Sequence, residues 1–325
     1  MLREKAPCIT ELTTILMKPA LPLLSTLGLL SSFAFAGSVA IDTAKPAPTA
    51  DAFANARRPI SNPTLFDLAL PTTNVHPLFI YHGLPDNINT TAGKLPLGGD
   101  VEVYALQLEY ALNERLSIVA TKDGYVDMNP DNTLDHENGF GNIAAGAKYA
   151  FIYDPAAGTA VSGTLTIEFP TGNHDVFQGA GDGAANLLVS GLKMLDAWQF
   201  AGGTGVILPF SGQQSTSGWI SGHVSYEVCP LFIPLVEVNW FHVISSGDGT
   251  DAGAVPQIVK FEGGDYFNLG AAHADDNRDL VTAAVGFRSR LSQSVDMGLA
   301  YELPLTDSED SLMEERVTLD LVWKF

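Results

Sequence analysis

One short stretch carries side chains of the types used in nucleophilic catalysis. Ser221, His223, Ser225 and Glu227 recur two residues apart, a spacing that places them on one face if the segment is a strand. A neighbouring strand would bring Glu237 and Asn239 alongside. Serine hydrolysis needs a hydroxyl within hydrogen-bond reach of a histidine that a third group orients. Residues two apart on a strand are separated by about 6.5 to 7 Å at the backbone, which is loose for that contact. The sequence also has no G-x-S-x-G elbow. His223 is therefore expected to line an interior rather than to catalyse, and the chain is expected not to be an enzyme.

The acidic stretches are weak metal candidates. Asp127, Asn129, Asp131 and Asp135 alternate somewhat like a calcium loop, but Asn132 stands where its glycine belongs and Asn138 where its final glutamate belongs. Asp248 with Asp251, Asp275 with Asp276, and the Asp307 to Asp310 cluster read as solvated loops. Gly179, Gly181 and Gly183 are followed by no helix and no Lys-Ser/Thr pair, so they do not form a phosphate cradle. No metal and no cofactor are expected.

The elements that position these residues are signalled by composition. Only 17% of the 325 residues are charged, against 46% hydrophobic, and the formal net charge is -20. Soluble domains carry about 25% charged residues, so little of the chain is spent on ionic surface. Disordered chains combine low hydrophobicity with high charge, which excludes disorder for most of the length. Past residue 40 no apolar run approaches the roughly 20 residues of a membrane-spanning helix. The acidic balance without basic clusters excludes nucleic acid as a partner.

Residues 1–36 read as a secretory signal peptide. Lys18 precedes an apolar stretch from Ala20 to Phe33, and Ala34, Phe35 and Ala36 form the cleavage pattern. Met17 is an alternative start. Residues 37–75, with Pro46, Pro48, Pro59, Pro63 and Pro71, are expected to be a proline-rich periplasmic arm or plug, because proline at this density breaks helices and central strands.

From residue 76 to residue 325 the pattern has period two. About twelve alternating segments of transmembrane-strand length lie near 76 to 82, 100 to 112, 115 to 123, 140 to 153, 159 to 169, 185 to 195, 198 to 209, 218 to 228, 232 to 244, 279 to 291, 295 to 305 and 316 to 325. Short connections alternate with long ones. The fold class expected is all-β: a transmembrane antiparallel up-and-down β-barrel of about twelve strands, with fourteen as the alternative. Closure leaves no edge strand, and every backbone polar group finds a partner without water.

Polar residues on the inward faces are the candidates for selectivity. Alternation places Glu109, Lys148, Glu168, Lys193, His223, Glu227, Glu237, Asn239, Arg288, Arg290, Asp296 and Glu302 inside, together with Asp320 and Lys324. A tight turn at Ser292 to Ser294 would set Arg290 opposite Asp296. Two readings stay open: mutually paired charges filling a narrow lumen, or a path that guides a solute.

The last strand carries a resemblance. Val317, Leu319, Leu321, Trp323 and the C-terminal Phe325 resemble the assembly signal of Gram-negative outer-membrane proteins. The stretches FGNIAAGAKYAFIYD (140 to 154), LTIEFPTGNHD (165 to 175) and AYELPLTD (300 to 307) look like the outer-membrane family named for the meta-pathway of phenol degradation, grouped with the FadL-like transporters of hydrophobic compounds. That resemblance implies an outer-membrane barrel that takes up small, hydrophobic or aromatic molecules by a passive or gated route. FadL-like barrels have about fourteen strands, where the alternation here indicates about twelve. The partners expected are outer-membrane lipids and lipopolysaccharide, the barrel-assembly machinery and a small-molecule solute. The alternative is a non-conducting structural or surface-interaction barrel with acidic extracellular loops.

Overall fold

A computed structural model describes residues 52–250 and 254–325. The signal peptide, the alternative start at Met17 and the first part of the proline-rich arm lie outside the described residues.

Among the described residues sixteen strands follow one another. β1 (Asn74–Gly83) leads into a small separate hairpin of β2 (Asn87–Thr90) and β3 (Gly93–Pro96), then into the long β4 (Gly99–Asn113). β5 (Leu116–Lys122), β6 (Tyr125–Pro130), β7 (Glu137–Phe140) and β8 (Ile143–Asp154) come next, followed by β9 (Thr159–Phe169) and β10 (Ala184–Leu195). β11 (Trp198–Pro209), β12 (Thr216–Tyr226), β13 (Ile233–Ser245), β14 (Asp279–Arg290), β15 (Val295–Pro304) and β16 (Glu315–Lys324) complete the series. All neighbours pair antiparallel, and β1 pairs with both β16 and β4. The sheet thereby closes into a transmembrane-type barrel of twelve strands, with β6 and β7 as additional strands.

The two additional strands extend the barrel beyond the expected segments. β6 continues the line of β5 along β4, and β7 continues that of β8. The sequence signal is the alternation of Val126 and Met128, both buried, with outward Tyr125 and Asp127. Both lines are interrupted at the same level, at Asp123 with Gly124 and at Gly141 with Asn142. Gly124 has φ +127°, and a Cβ there would lie 2.9 Å from the Tyr104 carbonyl oxygen, so only glycine suits the position.

The faces are the reverse of those of a soluble domain. Leu106, Leu108, Ile118, Leu165, Val189, Ile220, Val236, Val285 and Leu319 are exposed on the outside. Lys148, Ser162, Glu237, Asn239, Thr282, Arg288 and Asp320 are buried inside. Hydrocarbon around the wall makes the outward side chains favourable, and the interior need not be apolar. Leu319 lies mid-strand between Phe79 and Leu299 on its two neighbours. Leu319→Arg is expected to destabilise the barrel by about 2 to 4 kcal/mol, measured as the urea midpoint of folding into lipid vesicles.

The interior is filled by two segments that enter from opposite ends. Residues 52–73 rise from the short-turn end, where Phe53 and Leu68 pack with Leu192 and Met194. They turn near Asn62, whose φ is 53°, and descend to β1. Near the turn Leu65 packs with Leu188, Trp219 and Phe241, and the Trp219 indole N–H donates to the Leu65 carbonyl at 2.9 Å. From the long-loop end the segment after α1 (Val255–Ile258) folds inward, burying Phe261, Tyr266, Phe267 and Leu269 against Ile80, Val103 and Val126. The two segments meet where the Thr64 hydroxyl donates to the Asp265 carbonyl at 3.0 Å.

Candidate functional site

The interior charges form pairs rather than a bare polar tube. Toward the short-turn end of the arm, Lys148 on β8 bonds Glu109 on β4 at 2.9 Å and Asp67 of the arm at 2.5 Å. Arg58 of the arm bonds the same two carboxylates, at 2.8 Å to Asp67 and 3.0 Å to Glu109. Burial works to raise the Asp67 carboxyl, but Arg58 and Lys148 overcome it and hold the group below its usual range. Ser117, Thr72 and Asn74 donate further hydrogen bonds to Glu109. This cluster joins arm to wall. Further along the same side of the wall, Arg288 on β14 grips Asp320 on β16 with two hydrogen bonds of 3.1 and 2.8 Å, and His76 on β1 approaches the same carboxylate at 2.8 Å.

The remaining predicted positions fall into the same scheme. Glu168 takes the Lys122 ammonium at 2.7 Å. Glu302 accepts from Thr282 and Asn239 and lies 3.7 Å from Arg316. Arg290 stands opposite Asp296 in the register, as the tight turn predicts. Its guanidinium, however, turns to Glu227 at 3.1 Å and stays 3.9 Å from Asp296. Asp296 pairs instead with Lys324 at 2.6 Å, and Glu227 also takes Arg57 of the arm at 3.2 Å.

Lys193 is a correction. It was expected inside, yet it shares the outward face with exposed Phe200 across the strand pair, and its ammonium donates to the Ala157 carbonyl and the Thr159 hydroxyl. The physical reason is the arm. At that end the interior is packed with Phe53 and Leu68, so the inward residues of β10 are Leu192 and Met194. Polar-in alternation inverts there.

The Ser-His-carboxylate set is tighter than backbone spacing implies. His223 Nε2 lies 2.9 Å from Ser225 Oγ, and Nδ1 lies 2.6 Å from Glu237. The imidazole reaches along the strand face and closes the gap. Glu237, not Glu227, is its carboxylate partner. Ser225 is buried, and the N–H groups of Ile60 and Ser61 are bonded to Glu237 rather than free to stabilise an oxyanion. The relay orients Glu237. Among the described residues no group of three or more His, Cys, Asp or Glu side chains is gathered as a metal site requires.

Sequence reasoning missed the charges outside regular strands and those near their ends. Arg57, Arg58 and Asp67 belong to the arm, and Asp265 of the inward loop pairs with Arg316 at 2.8 Å. Burial raises the Glu262 carboxyl in that loop, although Ser215 and the N–H groups of Leu269, Gly263 and Ala271 bond it. Arg316 was readable, since it shares a face with Thr318 and Asp320. A cavity of about 460 Å³ opens at the short-turn end between the arm, Tyr153 and Phe325.

The barrel is similar to an outer-membrane channel from Pseudomonas putida F1, with a TM-score of 0.56 and 17% identity over 78% of this chain and 96% of the other. The NanC porin follows at a TM-score of 0.46 and 9% identity, over 76% of this chain and all of the porin (100%). The β domain of the Bordetella autotransporter BrkA gives 0.44 and 12%, over 78% and 100% of the two chains. The first likeness shows a shared barrel fold. No protein-family model matches the chain, and no curated protein matches it.

Proposed function

We propose that the chain is an outer-membrane channel for passive, gated uptake of small molecules, closed by its own residues 52–73. The observation that carries this reading is the way the arm is held. Beside its apolar contacts, it crosses the interior on ion pairs and hydrogen bonds to wall residues, among them Arg57 to Glu227, Arg58 to Glu109 and Gln107 to the Pro63 carbonyl. Each bond can be exchanged for a solute or for water. In the same reading residues 1–36 direct export, residues 37–75 form the periplasmic arm, and the short turns face the periplasm. The outward Trp323 and Phe325 then present the last strand to the assembly machinery. The acidic long-loop rim, with Asp127, Asp135 and Glu309, meets lipopolysaccharide and its divalent ions.

The hydrophobic or aromatic character of the solute rests on the motif resemblance at residues 140 to 154, 165 to 175 and 300 to 307. Proteoliposomes holding the full chain, or a form lacking residues 41–73, test both parts. The shortened form is expected to admit arabinose and tryptophan, tryptophan faster. Equal rates would contradict an apolar preference. Uptake of neither solute by either form would contradict transport and favour the structural-barrel reading, to which the dense pairing of interior charges also points.

A further inference from the structure

Glu237 differs from every other inward wall carboxylate described above. Glu109, Glu168, Glu227, Asp296, Glu302 and Asp320 each face a lysine or arginine of the wall. Glu237 is fully buried, and among the described residues His223 is its only basic side-chain partner. Its remaining capacity is filled by the arm. The Ile60 N–H donates to both oxygens, at 3.0 and 3.2 Å, and the Ser61 N–H donates to one at 2.6 Å. Two adjacent main-chain donors thus reach both oxygens of one carboxylate, which a guanidinium or amidinium with its paired N–H donors could cover in their place.

The surroundings extend the match. Asn239 donates to the Ser61 hydroxyl at 3.0 Å, while its own Oδ1 is buried without a partner among the described residues. A buried acceptor left open favours a ligand with a further N–H. The Ile60 side chain occupies a niche made by Leu235 and Ala300, and a Cβ added at Gly298 would lie 2.6 Å from its Cδ1. The niche fits a branched alkyl group of about four carbons.

From this geometry we infer that the mid-lumen site of Glu237, His223 and Asn239, with its Leu235/Ala300 niche, binds small amphipathic organic cations carrying paired N–H donors, and that the arm occupies it as a stand-in. The inference rests on the channel reading and names the solute class for that site. A hydrophobic body with a cationic head satisfies both the niche and the carboxylate. Withdrawal of the arm removes its donors from Glu237, and the entering cation replaces them, so solute binding and opening are one exchange.

The test uses the full chain in lipid and reads chymotrypsin cleavage after Phe66, a residue almost fully buried in the seated arm. Isobutylguanidinium competes for the site, and tetramethylammonium, which has no N–H donor, is the control. Isobutylguanidinium at ten times its dissociation constant is expected to raise cleavage about tenfold, with tetramethylammonium without effect and unsubstituted guanidinium needing a higher concentration. Glu237→Gln is expected to raise basal cleavage and abolish the response. An equal response to both cations, or a retained response in Glu237→Gln, would overturn the inference; the comparison within the natural chain stands even where the variant does not fold. Absence of cleavage under every condition, including in Lys148→Met, would overturn the channel reading together with the inference. Ready cleavage in Lys148→Met with no response to isobutylguanidinium would overturn the inference alone.

Discussion

Arg288→Leu is expected to be among the most damaging single changes in the barrel wall, costing about 3 to 5 kcal/mol, the range for removing one partner of a buried pair. Arg288 and Asp320 are both at most 1% exposed, and the two hydrogen bonds between them satisfy both carboxylate oxygens. Without the guanidinium, Asp320 keeps only His76, which also bonds Gln107 at 2.9 Å. The double variant Arg288→Leu with Asp320→Leu is expected to recover most of the loss, because two apolar residues carry no desolvation cost. Urea midpoints of the wild type, both single variants and the double variant form the cycle that checks this. Neither residue bonds the arm, so arm seating in the double variant is expected to match the wild type.

Lys148→Met has a comparable cost and a different consequence. The ammonium is fully buried between Glu109 of the wall and Asp67 of the arm. Its removal leaves two carboxylates to share Arg58, and like charges that close repel. Relief is available by release of the arm, because Asp67 can leave with it whereas Glu109 is fixed in β4. The expected result is a barrel that still folds, with its arm released and cleaved by trypsin after Arg57. Asp67→Asn in the same chain is expected to reseat the arm. An arm that stays protected in Lys148→Met would show that the apolar contacts of Leu68 and Leu70 with the wall, rather than the ion pairs, hold it.

The barrel was legible because a closed wall imposes one rule on each strand. Val317, Leu319, Leu321 and Trp323 alternate outward on β16 while Thr318 and Asp320 face in, and a one-residue slip would reverse all of them. The same rule set Arg290 opposite Asp296. It failed at Lys193, where an apolar filling makes Leu192 and Met194 the inward residues. The partner of each charge was not legible, since register fixes backbone neighbours while long side chains choose among several. Arg290 reaching past Asp296 to Glu227 is the example. The path of residues 52–73 was also hidden. A chain rich in proline carries no period, so nothing local says that Ile60 meets Glu237, a residue 177 positions away. The reach of His223 to Ser225 was hidden for a related reason, because backbone spacing understates what a ring spans along a strand.

The central claim is that residues 52–73 are the removable closure of a lumen whose long-loop end is narrowed by the inward segment after α1. Planar-bilayer conductance of the full chain beside the form lacking residues 41–73 tests it most directly. The account predicts a closed full chain with brief openings and a steady, larger conductance once the arm is absent. Equal conductance in the two forms, or none in either, would contradict it.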